Sequence, residues 1–383
     1  MKLAIAKERR AKESRVAATP DTVKRLKGLG LDIVVEAGAG AGSSIADQAY
    51  VDAGAQIAPD AATALQDADI VLKVSRPLTA AEGGPDEIQT MKRGAVLVAM
   101  LDPYRNRDLV RALAEQGVTA FAMELVPRIT RAQSMDVLSS QANLAGYKAV
   151  LDAAVEFGRA FPMMMTAAGT VAPAKVFVMG AGVAGLQAIA TARRLGAVVS
   201  ATDVRPAAKE QVESLGASFV MVESEETKQA ETAGGYAKEM SEDYKRKQAA
   251  LVAEHIRKQD VVICTALIPG RPAPRLITAD MVRTMRPGSV IVDLAVENGG
   301  NCELSEPNKV VEANGVKIVG WTNVPSRIAV DASALYARNL LNFLGLIVAK
   351  DGTLKIDPED EIIKGSLLTR DGRVVHAAFA TAA

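Results

Sequence analysis

The chain has 383 residues with 45 basic and 45 acidic side chains, so its formal net charge is zero. That length exceeds the ~250 to 300 residues at which one core stops growing and indicates two domains. The charge balance argues against a nucleic-acid footprint and against electrostatic capture by an anionic membrane surface. Along the N-terminal third of the chain, short runs rich in branched residues alternate with helical segments: Leu3 to Ala6, Ile33 to Val35, Ile70 to Val74, Ala95 to Ala99 and Val118 to Phe121. Such βα alternation predicts a mostly parallel sheet. From Ser139 to Phe161, residues Leu144, Tyr147, Val150, Leu151, Ala154 and Val155 recur at helical spacing before Pro162 stops the pattern. This stretch is expected to join the domains.

A second alternating series follows at Val176 to Met179, Val198 to Thr202, Phe219 to Val222, Val261 to Cys264, Val290 to Asp293 and Lys317 to Val319. Strands in this number fit one doubly wound dinucleotide domain. Helical spacing resumes from Ala334 to Val348, and the polar tail after it is too short for a third core and is expected to return to the first domain. The fold expected is α/β, with two Rossmann-like doubly wound parallel-sheet domains joined by long helices. The first would comprise residues 1–138 with 328–383, and the second 139–327.

The only cysteines, Cys264 and Cys302, suggest a reduced, cytoplasmic chain. Charges interrupt Met1 to Arg15 before a signal-like apolar core can form, and Leu340 to Ala349 falls far short of the ~20 residues of a membrane span.

The strongest motif is G-x-G-x-x-G at Gly180, Gly182 and Gly185, placed after a strand and opening a helix from Val183 to Leu195. Its first glycine permits the tight turn, its second lets backbone approach a pyrophosphate, and its third allows close helix-to-strand packing. Asp203 ends the next strand, where a carboxylate accepts hydrogen bonds from the adenosine ribose and repels a 2′-phosphate, which selects NAD over NADP. Arg205 is the one feature nearby that could help a 2′-phosphate; with Asp203 present it is expected to lie along the adenosine. Gly38, Gly40 and Gly42 also follow a strand, but Ser43 replaces the third fingerprint glycine, so this cluster is assigned to a turn. One chain is thus expected to bind one dinucleotide.

A second constellation, Arg128, Gln133, Asp136 and Ser139, lies in PRITRAQSMDVLSSQANLAGY. The last three are spaced by three and would share a face in a helix; Asp136 or Ser139 could equally be the N-cap of the following helix. Between Glu223 and Ala250 lies a charged segment with Gly234, Gly235 and Tyr236, either a solvated helix pair or a mobile lid with a glycine hinge. Met163, Met164 and Met165 suit a partner or dimer surface or, more commonly, core filling. His255 and His376, the only histidines, sit in polar surroundings and are expected to be exposed.

The motifs MKLAIAKERR with ESRVAATP, PRITRAQSMD with SSQANLAGY, GAGVAGLQAIATARRLGA, ETAGGYAKEM, TALIPGRPAP and VDLAVENGGN resemble, over nearly the whole chain, the NAD(H)-binding component of proton-translocating nicotinamide nucleotide transhydrogenase. The resemblance implies a soluble, cytoplasmic homodimer, peripheral to the inner membrane through its partners. It would bind NAD(H) and exchange hydride with NADP(H) on a partner component, coupled to proton movement through a membrane-spanning subunit. It also implies that Arg128, Gln133, Asp136 and Ser139 hold the nicotinamide and its ribose, and that Gly235 and Tyr236 form the tip of a closing loop. Arg128, Gln133, Asp136 and Tyr236 would position the transfer itself. Val183, Ala184, Val204, Arg205 and Gln248 would line the nucleotide, with Ala266 and Leu267 on its adenine side. No metal is implied.

Alanine dehydrogenase shares this architecture, with matches at Arg15 and Lys73 for its substrate carboxylate and carbonyl. Amine oxidation, however, needs a proton acceptor, and Ala95 to Asp102 lacks that family's histidine while Glu297 replaces its later aspartate. Transfer between two nicotinamide C4 atoms needs only alignment at roughly 3 to 3.5 Å. A non-catalytic NAD sensor is the remaining alternative; PRITRAQSMD tells against it, since a sensor has no reason to keep a nicotinamide open to a partner.

Overall fold

The computed structural model describes residues 1–222, 241–268 and 270–380. In chain order its strands are β1 (Lys2–Ile5), β2 (Asp32–Glu36), β3 (Gln56–Ala58), β4 (Ile70–Leu72), β5 (Val96–Ala99) and β6 (Thr119–Ala122). Next come β7 (Met164–Thr166), β8 (Gly169–Val171), β9 (Lys175–Met179), β10 (Val198–Thr202), β11 (Ser218–Phe219) and β12 (Val261–Cys264). The last are β13 (Val290–Asp293), β14 (Val310–Ala313), β15 (Val316–Val319), β16 (Leu367–Arg370) and β17 (Arg373–Val374). The chain forms two compact units, Met1–Gln141 with Ser326–Ala383, and Ala142–Pro325.

In the first unit the sheet runs β17-β16-β6-β5-β4-β1-β2-β3. Its strands β1 to β6 are parallel, and β16 and β17 add an antiparallel edge beside β6. Both faces are covered, so these strands are apolar nearly throughout: Leu3, Ile5, Ile70, Val96 and Phe121 face one buried cluster, and Ala4, Val71, Leu97 and Ala120 the other. The helix Ala329–Ile347 belongs to this unit and begins earlier than its sequence pattern suggests, at Ala329 rather than Ala334. Its Tyr336, Leu340, Phe343 and Leu344 join the first cluster, where Phe343 meets Phe121 edge-on with 5.2 Å between ring centroids.

In the second unit the order is β11-β10-β9-β12-β13-β15-β14, parallel except for β14. Both sheets therefore share one connectivity: two strands wind outward on one side of the first, three parallel strands on the other, and the reversal falls between β1 and β4 in one and between β9 and β12 in the other. The doubly wound α/β class expected from the alternation is the class observed, enlarged by antiparallel edges.

The predicted strand Phe219 to Val222 is shorter than its apolar run. Only Ser218 and Phe219 pair, with Ser200 and Ala201, because this is the sheet's edge. The helix expected from Ser139 spans Val137–Glu156 instead. Its exit is anchored by Phe157 and Phe161, packed edge-on in the second unit's core.

The methionines at 163 to 165 do not fill a core. They lie at the β7–β8 hairpin, exposed by 59%, 43% and 76% in order. His255 is not exposed either: it packs edge-on against Phe177 at 4.6 Å, and its Nε2 lies 2.8 Å from the Ser200 hydroxyl. His376 is half-buried against Phe379, with Nε2 at 3.1 Å from the Gly365 carbonyl. Among the described residues, no helix is long and apolar enough to cross a membrane.

Candidate dinucleotide site and the buried ionic cluster

The glycine fingerprint sits where β9 gives way to the helix Val183–Arg194, at the carboxyl ends of the strands and beside the reversal of strand order. Ligands of doubly wound sheets bind at this place. Gly180 has φ +105°, closed to ordinary residues, and a Cβ there would lie 2.6 Å from the Thr265 hydroxyl. A Cβ on Gly185 would stand 1.8 Å from the Gly180 carbonyl oxygen, so this glycine sets the closeness of helix to strand. Gly182 is different: a Cβ on it would meet nothing within 4 Å. Packing inside the protein does not require that glycine, whereas a backbone that a pyrophosphate must approach does.

Gly182 is the helix N-cap and no side chain caps the helix. The first-turn N–H groups and the positive end of the helix dipole are thus available to an anion. The residues present fit a dinucleotide on this ground. Val183, at the start of the helix, is an exposed apolar residue, as is Leu267; Ala184 and Ala266 are half-buried.

The turn is held from several sides. Thr265 donates its hydroxyl to the Gly180 carbonyl at 2.9 Å. Asn301, fully buried, donates to the carbonyls of Ala266 and Pro274 and accepts from the Ala266 N–H at 3.1 Å, which fixes the loop carrying Ala266 and Leu267. Gly146, on the helix Val137–Glu156, allows that helix against the fingerprint: a Cβ there would lie 2.0 Å from the Ala184 carbonyl oxygen. Thr265, Asn301 and Gly146 are supports that sequence reasoning missed. Gly146 stands in the small-residue run ANLAGY, the only local signal for it.

Asp203 follows β10 and is buried. One oxygen accepts the Ala181 N–H at 2.7 Å, tying the carboxylate to the glycine turn. Arg205 bonds to the same carboxylate, through its own N–H and Nε to Oδ1, both at 2.9 Å, and through Nη2 to Oδ2 at 2.8 Å. Val204, between them, packs with Val222 on the buried ring of Tyr244. Gln248 is half-buried on the same helix as that tyrosine, Glu242–Ile256, which occupies the end of the segment from Glu223 to Ala250. Gly234, Gly235 and Tyr236 lie outside the described residues.

In the first unit, Thr130–Met135 forms a 3-10 turn, Asp136 is extended, and the helix Val137–Glu156 begins after it. Gln133, Asp136 and Ser139 are therefore not on one continuous α-helix. Asp136 accepts the Ser139 N–H at 2.9 Å and the Ser139 hydroxyl at 2.5 Å, which makes it the cap of the helix. Arg128 and Gln133 are exposed. Asn339 and Asn342 both donate to the Ser134 carbonyl, so the helix Ala329–Ile347 fixes the turn that carries Gln133. Gly40 and Gly42 serve packing instead: Cβ atoms there would lie 2.7 Å from the Ile45 carbonyl and 2.6 Å from that of Ser14.

The same unit holds a buried ionic cluster at its own strand ends. Arg15 spans the Glu13 carboxylate, Nε to Oε1 at 2.8 Å and Nη2 to Oε2 at 2.6 Å, and donates to Gln141 at 2.8 Å. Lys73, after β4, is 3.0 Å from Glu87 and 3.5 Å from Glu8. Burial pushes the Glu8 carboxyl above the usual range, against the pull of Lys73 and with the push of Glu13 and Glu87. Glu124, after β6, accepts the Leu101 N–H at 2.8 Å and also the Asp102 N–H. Its stem is partly exposed, but its carboxyl is out of water, and burial raises its pKa to about 7. Glu297, in the second unit, accepts the Asn323 N–H at 3.0 Å.

Family models described as the alanine dehydrogenase/PNT N-terminal and C-terminal domains match residues 4–145 and 149–377. An NAD(P) transhydrogenase subunit alpha polypeptide of Rhodospirillum rubrum is 63% identical over 99% of both chains. A crystal structure of transhydrogenase from Sinorhizobium meliloti, 57% identical, superposes with a TM-score of 0.85 over 99% of this chain and 100% of that one. The alanine dehydrogenase of Halomonas elongata is 30% identical over 100% of this chain and 96% of its own.

Proposed function

Because the chain belongs to the alanine dehydrogenase/PNT family, and within it to the NAD(P) transhydrogenase alpha subunits, we propose that it binds NAD(H) and exchanges hydride with NADP(H) held by a partner component. The observation that carries this reading is the uncapped, glycine-lined helix N-terminus after β9 with Asp203 bonded to its Ala181 N–H. The turn takes the pyrophosphate, Asp203 the adenosine ribose, and Ala266 with Leu267 the adenine. Val183, Ala184, Val204, Arg205 and Gln248 complete that end. Arg128, Gln133, Asp136 and Ser139 hold the nicotinamide and its ribose, and Tyr236 with Gly235 closes over them.

Bound NADH supplies the hydride at nicotinamide C4. The protein has no proton to move in that step; its task is to align the donor ring and exclude water. The segment Ala95 to Asp102 contains no histidine, and His255 is engaged with Ser200, which suits such a reaction. An alanine dehydrogenase would instead need Arg15 and Lys73 for its substrate, and here both are engaged by Glu13, Glu87 and Glu8.

The working assembly in this reading is a homodimer, peripheral to the inner membrane on its cytoplasmic side. It joins the NADP(H)-binding component and a membrane-spanning subunit through which hydride exchange is coupled to proton movement. The exposed methionines of the β7–β8 hairpin and Val155, 82% exposed, supply apolar surface suited to a second copy. The test is the purified chain with NAD⁺ and L-alanine or other amino acids, and then with NADH, alone and with an NADP⁺-loaded binding component. NADH oxidation only in the presence of the NADP⁺-loaded component is expected. Sustained alanine-dependent NADH formation by the chain alone would overturn the assignment.

A further inference from the structure

The Asp203 carboxylate offers about four lone-pair sites. In this structure it receives four N–H donors: one from Ala181 and three from Arg205. No site is left for a ribose. Three of the donors belong to one residue, and two of those to a guanidinium that can swing away, so the adenosine ribose must exchange with the Arg205 side chain. The guanidinium meanwhile sits at the end of the second strand of the dinucleotide unit, where a cation accommodates the 2′-phosphate in NADP-binding relatives of this fold. Here that cation is turned onto Asp203.

We propose that Asp203 and Arg205 form a selectivity lock, in which Arg205 is a latent 2′-phosphate receptor silenced by its own neighbour. The carboxylate excludes NADP(H) twice, by repelling the phosphate and by engaging the cation that would otherwise receive it. Such a lock matters only if the site binds NAD(H), so the inference rests on the function proposed above. In a hydride exchange between two nucleotides, a site that admitted both would let the wrong nucleotide compete for the donor position.

The quantity to measure is the ratio of NADPH to NADH affinity, read by nicotinamide fluorescence on the full chain. Asp203→Asn keeps an acceptor for the Ala181 N–H and removes the charge that Asp203 sets against the guanidinium, so the ratio should rise by about tenfold to a hundredfold, as expected for charge-assisted bonds to a phosphate. That rise should shrink at high salt and vanish in Asp203→Asn with Arg205→Ala. Calorimetry with adenosine 2′,5′-bisphosphate against 5′-AMP should give the same order without the nicotinamide. Should Asp203→Asn not fold, Asp203→Ser carries the same comparison, and the ratio cancels any loss common to both nucleotides. An unchanged ratio in the single variants, or an equal rise with and without Arg205, would overturn the lock. Wild-type protein that binds neither NADH nor 5′-AMP would instead remove the NAD reading, and the lock with it, before any substitution is made.

Discussion

The two units place opposite contents at equivalent positions on sheets of the same connectivity. At the carboxyl ends of β1 and β4 the first unit has Glu8 and Lys73, both buried, with Glu87 against the lysine; after β6 the Glu124 carboxyl is held by backbone N–H groups. At the end of β9 the second unit has glycines and a helix N-terminus with no side-chain cap. A doubly wound sheet thus offers a crevice without deciding its use. At the first unit's strand ends stand the chain's own buried charges, at the second unit's glycines and an uncapped helix N-terminus.

The largest effect is expected from the filled side. Lys73→Met leaves Glu8 buried without the lysine and Glu87 with only Arg9, 3.5 Å away, and loss of one partner of a buried pair costs about 3 to 5 kcal/mol. Urea unfolding should report this in the first unit. A loss below about 1 kcal/mol would mean that the cluster is an accessible site and not a sealed one.

Glu124 gives a pH dependence. Its folded pKa of about 7 lies above the ordinary 4.5, so the folded state binds the proton more tightly. Its contribution is fully present below pH 4.5 and is lost as pH rises through 7, about 3 kcal/mol in all. Glu8, also raised, acts in the same direction. Stability measured from pH 5 to 8 should fall in the wild type and fall less in Glu124→Gln; parallel curves would refute the assignment.

On the open side, Asp203→Ala should weaken NADH binding by about 1.5 to 3 kcal/mol, the scale of hydrogen bonds to a charged group, with less effect on NADPH. Equal losses for both nucleotides would show that Asp203 does not read the ribose. The smallest stability effect belongs to Gly182→Ala, whose new Cβ meets nothing within 4 Å. Stability should stay within about 0.5 kcal/mol while NADH affinity falls by at least about tenfold. Gly185→Ala, crowding the Gly180 carbonyl, should instead destabilise the fold by about 1 to 3 kcal/mol.

The open site was far more legible in the sequence than the filled one. Its glycines are adjacent along the chain, and the strand before them and the helix after them have their own periodic signals. Glu8, Lys73, Glu87 and Glu124 are scattered, and only parallel strand pairing gathers them, so no local pattern announces the cluster. Strand β3 leaves little trace because it is a short edge strand, and β16 and β17 because pairing, of β16 with β6 and of β17 with β16, rather than local pattern, defines them. The methionines of the β7–β8 hairpin carry no mark that separates surface from core. Asp203 was recognisable from its position after β10, but its engagement by Arg205 was not, since spacing says nothing about which way a guanidinium turns.

Direct hydride exchange without a proton carrier can be followed by isotope transfer. With NADH deuterated at the transferable C4 position, NADP⁺ on the partner component and the purified chain, the deuterium should appear in NADPH with none lost to water. Recovery of the label in solvent, or unlabelled NADPH, would contradict it.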